Sequence, residues 1–192
     1  MSCIDTPRFG PEERALLLDL ARRSIAHGLD HRRPLAVDPT RYGAPLGDRL
    51  ATFVTLTRAG QLRGCIGHLE AMQPLVCDVA DNAFAAAFQD PRFPPLARAE
   101  LAGLDVHISV LSPSEPMTFT SEADLLAQIR PGVDGLILTE GQARGTFLPS
   151  VWESLPRSRD FLNQLKRKAG LPADHWSDQV RVARYTTESF GD

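Results

Sequence analysis

Thr52-Phe53-Val54-Thr55-Leu56-Thr57, then Arg58-Ala59-Gly60-Gln61, then Leu62-Arg63-Gly64-Cys65-Ile66-Gly67-His68-Leu69, is the stretch whose reading decides the fold. The first six residues alternate with period two and are dense in β-branched side chains. The next four carry turn chemistry, and the last eight begin and end like a strand, so the direct reading is a β-hairpin. The second arm is unusual, because two glycines, an arginine and a cysteine stand where a strand normally places bulky packing residues. Glycine inside a strand weakens it and marks a bulge or a close approach by another backbone or a ligand. Alternation sets Arg63, Cys65 and Gly67 on one face and Gly64, Ile66 and His68 on the other, unless a glycine bulge re-aims them.

Working outward, Pro11-Glu12-Glu13 opens a helix, with proline at the first position and carboxylates at the positive end of the macrodipole. Leu16, Leu17, Leu20, Ala21, Ser24 and Ile25 give it an apolar stripe, and Gly28 is a candidate left-handed stop. His31 to Arg49 reads as a loop with one short strand near Leu35 to Val37. Pro74 starts a second helix whose stripe is Leu75, Val76, Val79, Ala80, Ala83, Phe84 and Ala87. It ends at Asp90-Pro91, since a residue before proline resists the α conformation. The three prolines of Asp90-Pro91-Arg92-Phe93-Pro94-Pro95-Leu96 predict an extended run. Leu104 to Leu111 alternates again, with Val106, Ile108 and Val110 inward and Asp105, His107 and Ser109 outward.

Ser112-Pro113-Ser114-Glu115-Pro116 is the best boundary. Beyond it the sequence predicts a short strand at Met117 to Phe119 and a helix capped near Thr120 or Ser121 with Asp124 one turn on. A hairpin then pairs Gly135–Thr139 with Ala143–Leu148 across Gly141. Helices are expected at Pro149 to Leu155 and Arg159 to Ala169, the second closed by Gly170, with Trp176 anchoring a last helical turn. Val180 to Tyr185 returns as a strand. We expect the strands at 52–57, 62–69, 104–111 and 180–185 to form one sheet, in a large unit of residues 1–113 and 179–192. Residues 114–178 form a smaller insertion.

The 192 residues carry 43% hydrophobic and 23% charged side chains. A chain of this size buries roughly 70% of its unfolded surface without staples. The net charge of −3, with both signs interspersed, provides no basic face for nucleic acid. The one basic run, Lys166-Arg167-Lys168, reads as a solvated helix terminus. No apolar run approaches the roughly 20 residues needed to span a bilayer, and the first residues lack signal-peptide character, so a cytoplasmic location is expected. Cys3, Cys65 and Cys77 are read as free thiols.

Several segments together resemble one known family, the AMMECR domain proteins, called protein A of the AmmeMemoRadiSam system in bacteria and archaea. They are LRGCIG at Leu62 to Gly67, DPRFPPL at Asp90 to Leu96, ISVLSP at Ile108 to Pro113, GVDGLIL at Gly132 to Leu138 and FLPSVWE at Phe147 to Glu153. The resemblance runs from about Pro11 to Phe190. It implies an α+β fold in which an antiparallel sheet flanked by helices forms a large subdomain holding both termini. A smaller inserted α+β subdomain faces it across a cleft, with the six-residue motif pointing into the interface. It also implies genomic company with a Memo-like protein and a radical S-adenosylmethionine protein, and no established reaction. Relatives commonly carry a small hydroxylic residue where His68 stands and an acidic one at His107.

Cys65 is read either as a nucleophile whose thiolate is favoured by nearby Arg63 or as a small buried hydrophobe. Arg63 either clamps a substrate carboxylate or phosphate or pairs with Asp90 or Glu100. These two are the catalytic candidates. Gly64, Gly67, Asn82, Arg92, His107, Ser109 and Arg144 are the candidates for substrate binding, with Thr146 beside Arg144 in the inserted hairpin. For Asn82 and Arg92 the structural alternative is to pin the proline-rich loop. Cys65 with His107 would have the form of a Cys-His site. Cys65, His68 and Cys77 lack the second ligand pair of a zinc centre, and no metal or cofactor is expected. Two functional classes stay open. One is an enzyme or enzyme component acting in the cleft on a peptide, protein or modified substrate. The other is a non-catalytic binding or scaffold module.

Overall fold

The computed structural model describes residues 7–192, so Cys3 lies outside the described residues. It is a mixed α+β structure whose chain divides into two compact units. The first runs to Leu111 and regains Glu188–Asp192, and the second is Ser112–Thr187. The strands are β1 Thr52–Arg58, β2 Gln61–Gly67, β3 Leu104–Leu111, β4 Glu115–Pro116, β5 Gly135–Glu140, β6 Ala143–Phe147, β7 Arg181–Tyr185 and β8 Thr187–Gly191. They form two four-stranded sheets, ordered β2-β1-β3-β8 and β4-β7-β5-β6. Among the described residues no helix is long and apolar enough to cross a membrane.

In the first unit, helix α1, Pro11–His31, begins as the sequence predicts, with the Glu13 carboxylate accepting the Gly10 N–H at 2.8 Å. It does not stop at Gly28. The helix continues one turn, and Arg32 supplies the left-handed residue at φ 54°. Gly28 serves packing instead, since a Cβ there would come within 2.5 Å of the Phe88 ring and 2.6 Å of the Phe84 ring. Those rings belong to α2, Leu75–Phe88. The expected strand at Leu35 to Val37 is absent. With no strand beside it, this loop is held by the Leu35 N–H donating to Ser24 Oγ at 3.1 Å and by apolar packing of Leu35 and Val37.

The hairpin forms as read. Ala59 and Gly60 both take positive φ, the geometry that lets a two-residue turn follow the twist of its strands. Thr55 stands opposite Cys65 on β2 and opposite His107 on β3. Leu56 faces Gly64 while Thr57 faces Leu62, so Arg63 is the extra residue of a bulge. Val54, Leu56, Val106, Ile108 and Val110 point to the helices and are buried with Leu75, Val76, Val79, Ala80 and Ala83 of α2. Each such side chain contributes about 1.5–3 kcal/mol of burial.

The three-proline segment is not uniformly extended. The Phe93 N–H bonds back to Asp90 O at 3.1 Å, making a turn at Pro91-Arg92 before the chain straightens. Proline at the second position of a turn has its φ already set.

In the second unit, Ser121 caps α3, Glu122–Gln128, its Oγ accepting the Asp124 N–H at 3.1 Å. Trp152 stacks on Phe161 at 3.8 Å between centroids and donates its indole N–H to Asp134 O at 2.7 Å. Phe161, Leu162 and Leu165 of α4, Ser158–Lys168, complete the core against Leu136, Leu138 and Val182. Pro149–Glu153 is a 3-10 helix. Trp176 is not helical; it lies against the Phe119 ring and over the Lys166 ammonium.

Two further sequence expectations are corrected by the sheet pairing and by burial. β7 pairs with β5 and β4 and does not complete the first sheet, whose fourth strand is β8. The basic run is not wholly solvated. Lys166 is 1% exposed and donates to Glu122 at 2.6 Å and to Ala173 O at 3.2 Å, while Arg167 and Lys168 are exposed.

At Gly64 a Cβ would stand 2.0 Å from the Ala86 carbonyl oxygen of α2. Backbone cannot yield as a flexible side chain can, so Gly64→Ala should lose about 1–3 kcal/mol in urea denaturation. Gly43→Ala, where a Cβ meets nothing within 4 Å, should change stability by less than about 0.5 kcal/mol.

Candidate functional site

β2 is an edge strand, and an edge presents backbone donors and acceptors with no ladder partner. Side chains from the segment after α2 supply the partners here. The Cys65 N–H donates to Asp90 Oδ2 at 2.9 Å. Asp90 is fixed from its other side by Arg92, whose Nε reaches Oδ1 at 2.9 Å and whose Nη2 reaches Oδ2 at 2.7 Å. Arg92 Nη2 also lies 3.4 Å from the Cys65 carbonyl oxygen. The Asp90 carboxylate is 2% exposed. The Arg92 guanidinium, followed by the N–H groups of Cys65 and Arg92, holds its carboxyl far below the usual carboxylate range against the opposing effect of burial.

A second fork lies one step along the strand. Arg63 Nε donates to Glu100 Oε1 at 2.7 Å and Nη2 to Oε2 at 3.0 Å, with Nη2 also donating to Pro94 O at 3.0 Å. Glu100 further accepts the Ala97 N–H at 2.8 Å. Arg63 and that N–H bring its carboxyl down to about 2. The Arg63 side chain is 11% exposed, and its Nη1 is buried without a hydrogen-bond partner. Phe93 lies beneath both guanidinium groups, 5.9 Å from Arg63 and 5.5 Å from Arg92. The two stretches LRGCIG and DPRFPPL are thus one structural assembly.

Cys65 is half-buried, and its Sγ accepts the Thr55 hydroxyl at 3.3 Å. His107 is exposed on the far side of Thr55. Two strand spacings, about 10 Å, therefore separate Cys65 from His107, and the Cys-His pairing considered from the sequence is not formed. Ser109 Oγ is 2.8 Å from Ser189 Oγ on β8. On the sheet face opposite α1 and α2, Cys65, Thr55 and His107 share one cross-strand rung, and Ser109 and Ser189 stand on the next, beside Phe53.

The remaining candidates are placed as follows. Gly64 lies under Ala86, and Gly67 lies against Thr52 O and the Phe53 ring, where a Cβ would meet atoms at 2.2 and 2.5 Å. What approaches both glycines closely is the chain itself. Asn82 is 1% exposed and donates to Thr52 O at 3.2 Å, Thr52 Oγ1 at 2.9 Å and Asp78 Oδ2 at 2.9 Å. Asp78 is fully buried, accepts the Thr52 N–H and hydroxyl, and lies 3.4 Å from His68 Nδ1. The Cys77 thiol donates to Val37 O at 3.7 Å and is pushed up by burial and by Asp81, Asp78 and Asp38. Among the described residues no group of three or more His, Cys, Asp or Glu side chains is placed to hold a metal ion. Arg144 is exposed in the second unit, opposite Thr139. Thr146 is engaged within its own hairpin, donating to Leu136 O at 2.9 Å and lying 3.2 Å from the Tyr185 hydroxyl.

Asp90 and Glu100 appeared in the sequence only as alternative partners for Arg63, and Thr55, Thr52 and Asp78 gave no signal. The aspartate directly before Pro91 was the readable clue, because it stands at a helix end with its side chain free to turn onto a neighbouring edge.

Both depressed carboxyls make stability depend on acid. A folded pKa below the unfolded value contributes stability above the unfolded pKa and loses it as pH falls. For Glu100 that window runs from its ordinary 4.5 down to about 2. Urea midpoints measured from pH 6 to pH 2 should fall through that window, and Glu100→Gln or Asp90→Asn should lower the midpoint at pH 6 and flatten the acid slope. An unchanged slope in both variants would remove these carboxylates from the account.

The AMMECR1 family model matches residues 18–190. A protein of Methanothermobacter thermautotrophicus is 40% identical over 185 residues, covering 93% of this chain and 94% of its own. One from Thermotoga maritima is 42% identical over 144 residues, covering 74% and 78%. The crystal structure of uncharacterized protein PH0010 from Pyrococcus horikoshii superposes with a TM-score of 0.86 at 34% identity, covering 97% of this chain and 94% of that one. Matching along nearly its whole length in both sequence and fold, the chain belongs to the AMMECR1 family.

Proposed function

We propose that this protein is the substrate-holding component of a multi-protein enzyme that acts on a peptide, protein or modified substrate. In this reading the chemistry is carried by partners, a Memo-like protein and a radical S-adenosylmethionine protein, and the chain contributes the polar face of its first sheet. One observation carries the proposal. The Cys65 thiol has a hydroxyl, Thr55, as its neighbour at 3.3 Å, and a neutral hydroxyl cannot serve as the base that activates a nucleophile. Arg63, the cation expected to meet a substrate, is forked onto Glu100. The thiol, hydroxyl and imidazole of Cys65, Thr55 and His107, side by side on one rung, can donate to and accept from an extended polypeptide.

A second reading, Cys65 as a nucleophile, is favoured by the Arg92 guanidinium beside the Cys65 backbone, a cation at the strand that carries the thiol.

Co-purification of the full chain with the two partner proteins separates the readings. Wild type and Cys65→Ser should form the complex with affinities within about threefold, while Ser189→Arg, which puts a charge on the same sheet face, should weaken it at least about tenfold. A turnover assay on the assembled complex should tolerate Cys65→Ser. If Cys65→Ser forms the complex but abolishes turnover, the thiol is the nucleophile and the holding role is wrong.

A further inference from the structure

The last turns of α1 and α2 enclose a recess of about 420 Å³ lined by Gly28, Leu29, Arg32, Phe84, Phe88 and Leu96, with Gln89 and Pro95 at its rim. The recess is half open, with an aromatic floor and a polar rim, and its volume is that of a small-ligand pocket. The floor exists because residue 28 has no side chain: a Cβ would come within 2.5 Å of the Phe88 ring. Phe84 and Phe88 pack at 5.0 Å between centroids. Leu96 is held against them by its N–H donating to Ala87 O at 2.8 Å.

Besides Gln89 at the rim, the polar groups at this recess are of two kinds. The first is Arg32, whose backbone is fixed by its N–H donating to Gly28 O at 2.9 Å. Asp30, the nearest carboxylate in sequence, is engaged by Arg98, and among the described residues Arg32 has no ion pair. The second kind is the carbonyl groups from Leu29 onward in the last turn of α1, which have no intrahelical donor, whereas the Gly28 carbonyl is taken by Arg32. These carbonyls, at the negative end of the helix dipole, disfavour a bare anion. They favour a ligand that carries an N–H donor next to its carboxylate. An aromatic floor, a guanidinium and orphan carbonyls in one recess match the three parts of an α-amino carboxylate with a bulky apolar side chain.

We propose that this recess binds an apolar α-amino carboxylate, either a free amino acid or the C-terminal residue of a peptide. The carboxylate sits on Arg32, the N–H points to the last-turn carbonyls of α1, and the side chain lies on Phe84 and Phe88. The site is separate from the polar sheet face and does not depend on its role.

The test is an NMR titration of the full-length chain with N-acetylphenylalanine, N-acetylphenylalanine amide and phenylalanine. N-acetylphenylalanine should give saturable shifts of the Leu29, Arg32, Phe88 and Gln89 backbone amides. The amide, which lacks the carboxylate, should bind at least about tenfold more weakly. Arg32→Gln, at an exposed position, should weaken the acid by a similar factor while its spectrum stays folded. Tighter binding of phenylalanine than of its N-acetyl form assigns the site to free amino acids, and the reverse assigns it to peptide C-termini; both support the proposal. Absence of saturation with both acids overturns it, as does equal binding of acid and amide to the wild-type chain. Unchanged binding by folded Arg32→Gln overturns it too.

Discussion

The hydrogen bond from the Cys65 amide to the Asp90 carboxylate, at 2.9 Å, is the constraint on which the first unit depends. β2 has only one strand neighbour, so the outward N–H of Cys65 would otherwise be left without a ladder partner. Asp90 stands two residues beyond the end of α2, so satisfying this donor fixes where the helix stops and where the chain goes next. That route leads through Phe93 and Pro94 to Glu100, which then reaches Arg63 on the same strand. Helix, edge strand and connecting segment are locked in one register. Gly64 permits the lock, because α2 brings its Ala86 carbonyl directly over the strand.

Arginine, glycine and cysteine together suggest a reactive floor, yet Arg63, Gly64 and Gly67 have structural partners of their own. A buried guanidinium–carboxylate pair adds little net stability over an apolar substitute, because desolvation offsets most of the attraction. Removing one partner alone is costly, since it strands a charge. Such pairs fix geometry more than they add stability. In this unit they set which carboxylate meets which strand position: Asp90 is oriented by Arg92 onto the backbone, and Glu100 is oriented by the Ala97 N–H onto Arg63. The thiol of Cys65 and the hydroxyls beside it remain as the groups whose partners are exchangeable.

Much of this was legible in the sequence, and the gaps have physical causes. α1, the β1–β2 hairpin, α2, β3 and the β5–β6 hairpin carry strong periodicity bounded by turn residues, and all five form. β8 was missed because Thr187-Glu188-Ser189-Phe190-Gly191 buries only Phe190, leaving no alternation to read. β7 was recognised as a strand but assigned to the wrong sheet, since alternation identifies a strand and says nothing of its neighbour. Gly28 was misread because a glycine late in a periodic run looks the same whether it ends the helix or admits a ring from another one. Lys166 looks like a solvated charge in the sequence because its partner, Glu122, lies 44 positions away. At the site, the close approach to Gly64 and Gly67 was readable and its source was not. For Arg63 the sequence suggests an acid such as Asp90 or Glu100, and only the fold shows that Glu100 takes Arg63 while Asp90 takes the Cys65 backbone.

The way the edge is sealed also limits how anything can bind beside it. An open edge strand invites a partner to add a strand of its own through main-chain hydrogen bonds. At Cys65 the outward N–H is taken by Asp90 and the carbonyl is approached by Arg92, so an incoming strand would have to break a charge-assisted bond to a nearly buried carboxylate before gaining one of its own. Ordinary backbone pairing does not repay that exchange. The bulge at Arg63 further shifts the register that such a strand would need. Strand addition at this edge is therefore disfavoured, which leaves the side chains of the sheet face for any contact, among them Cys65, whose backbone is tied to Asp90.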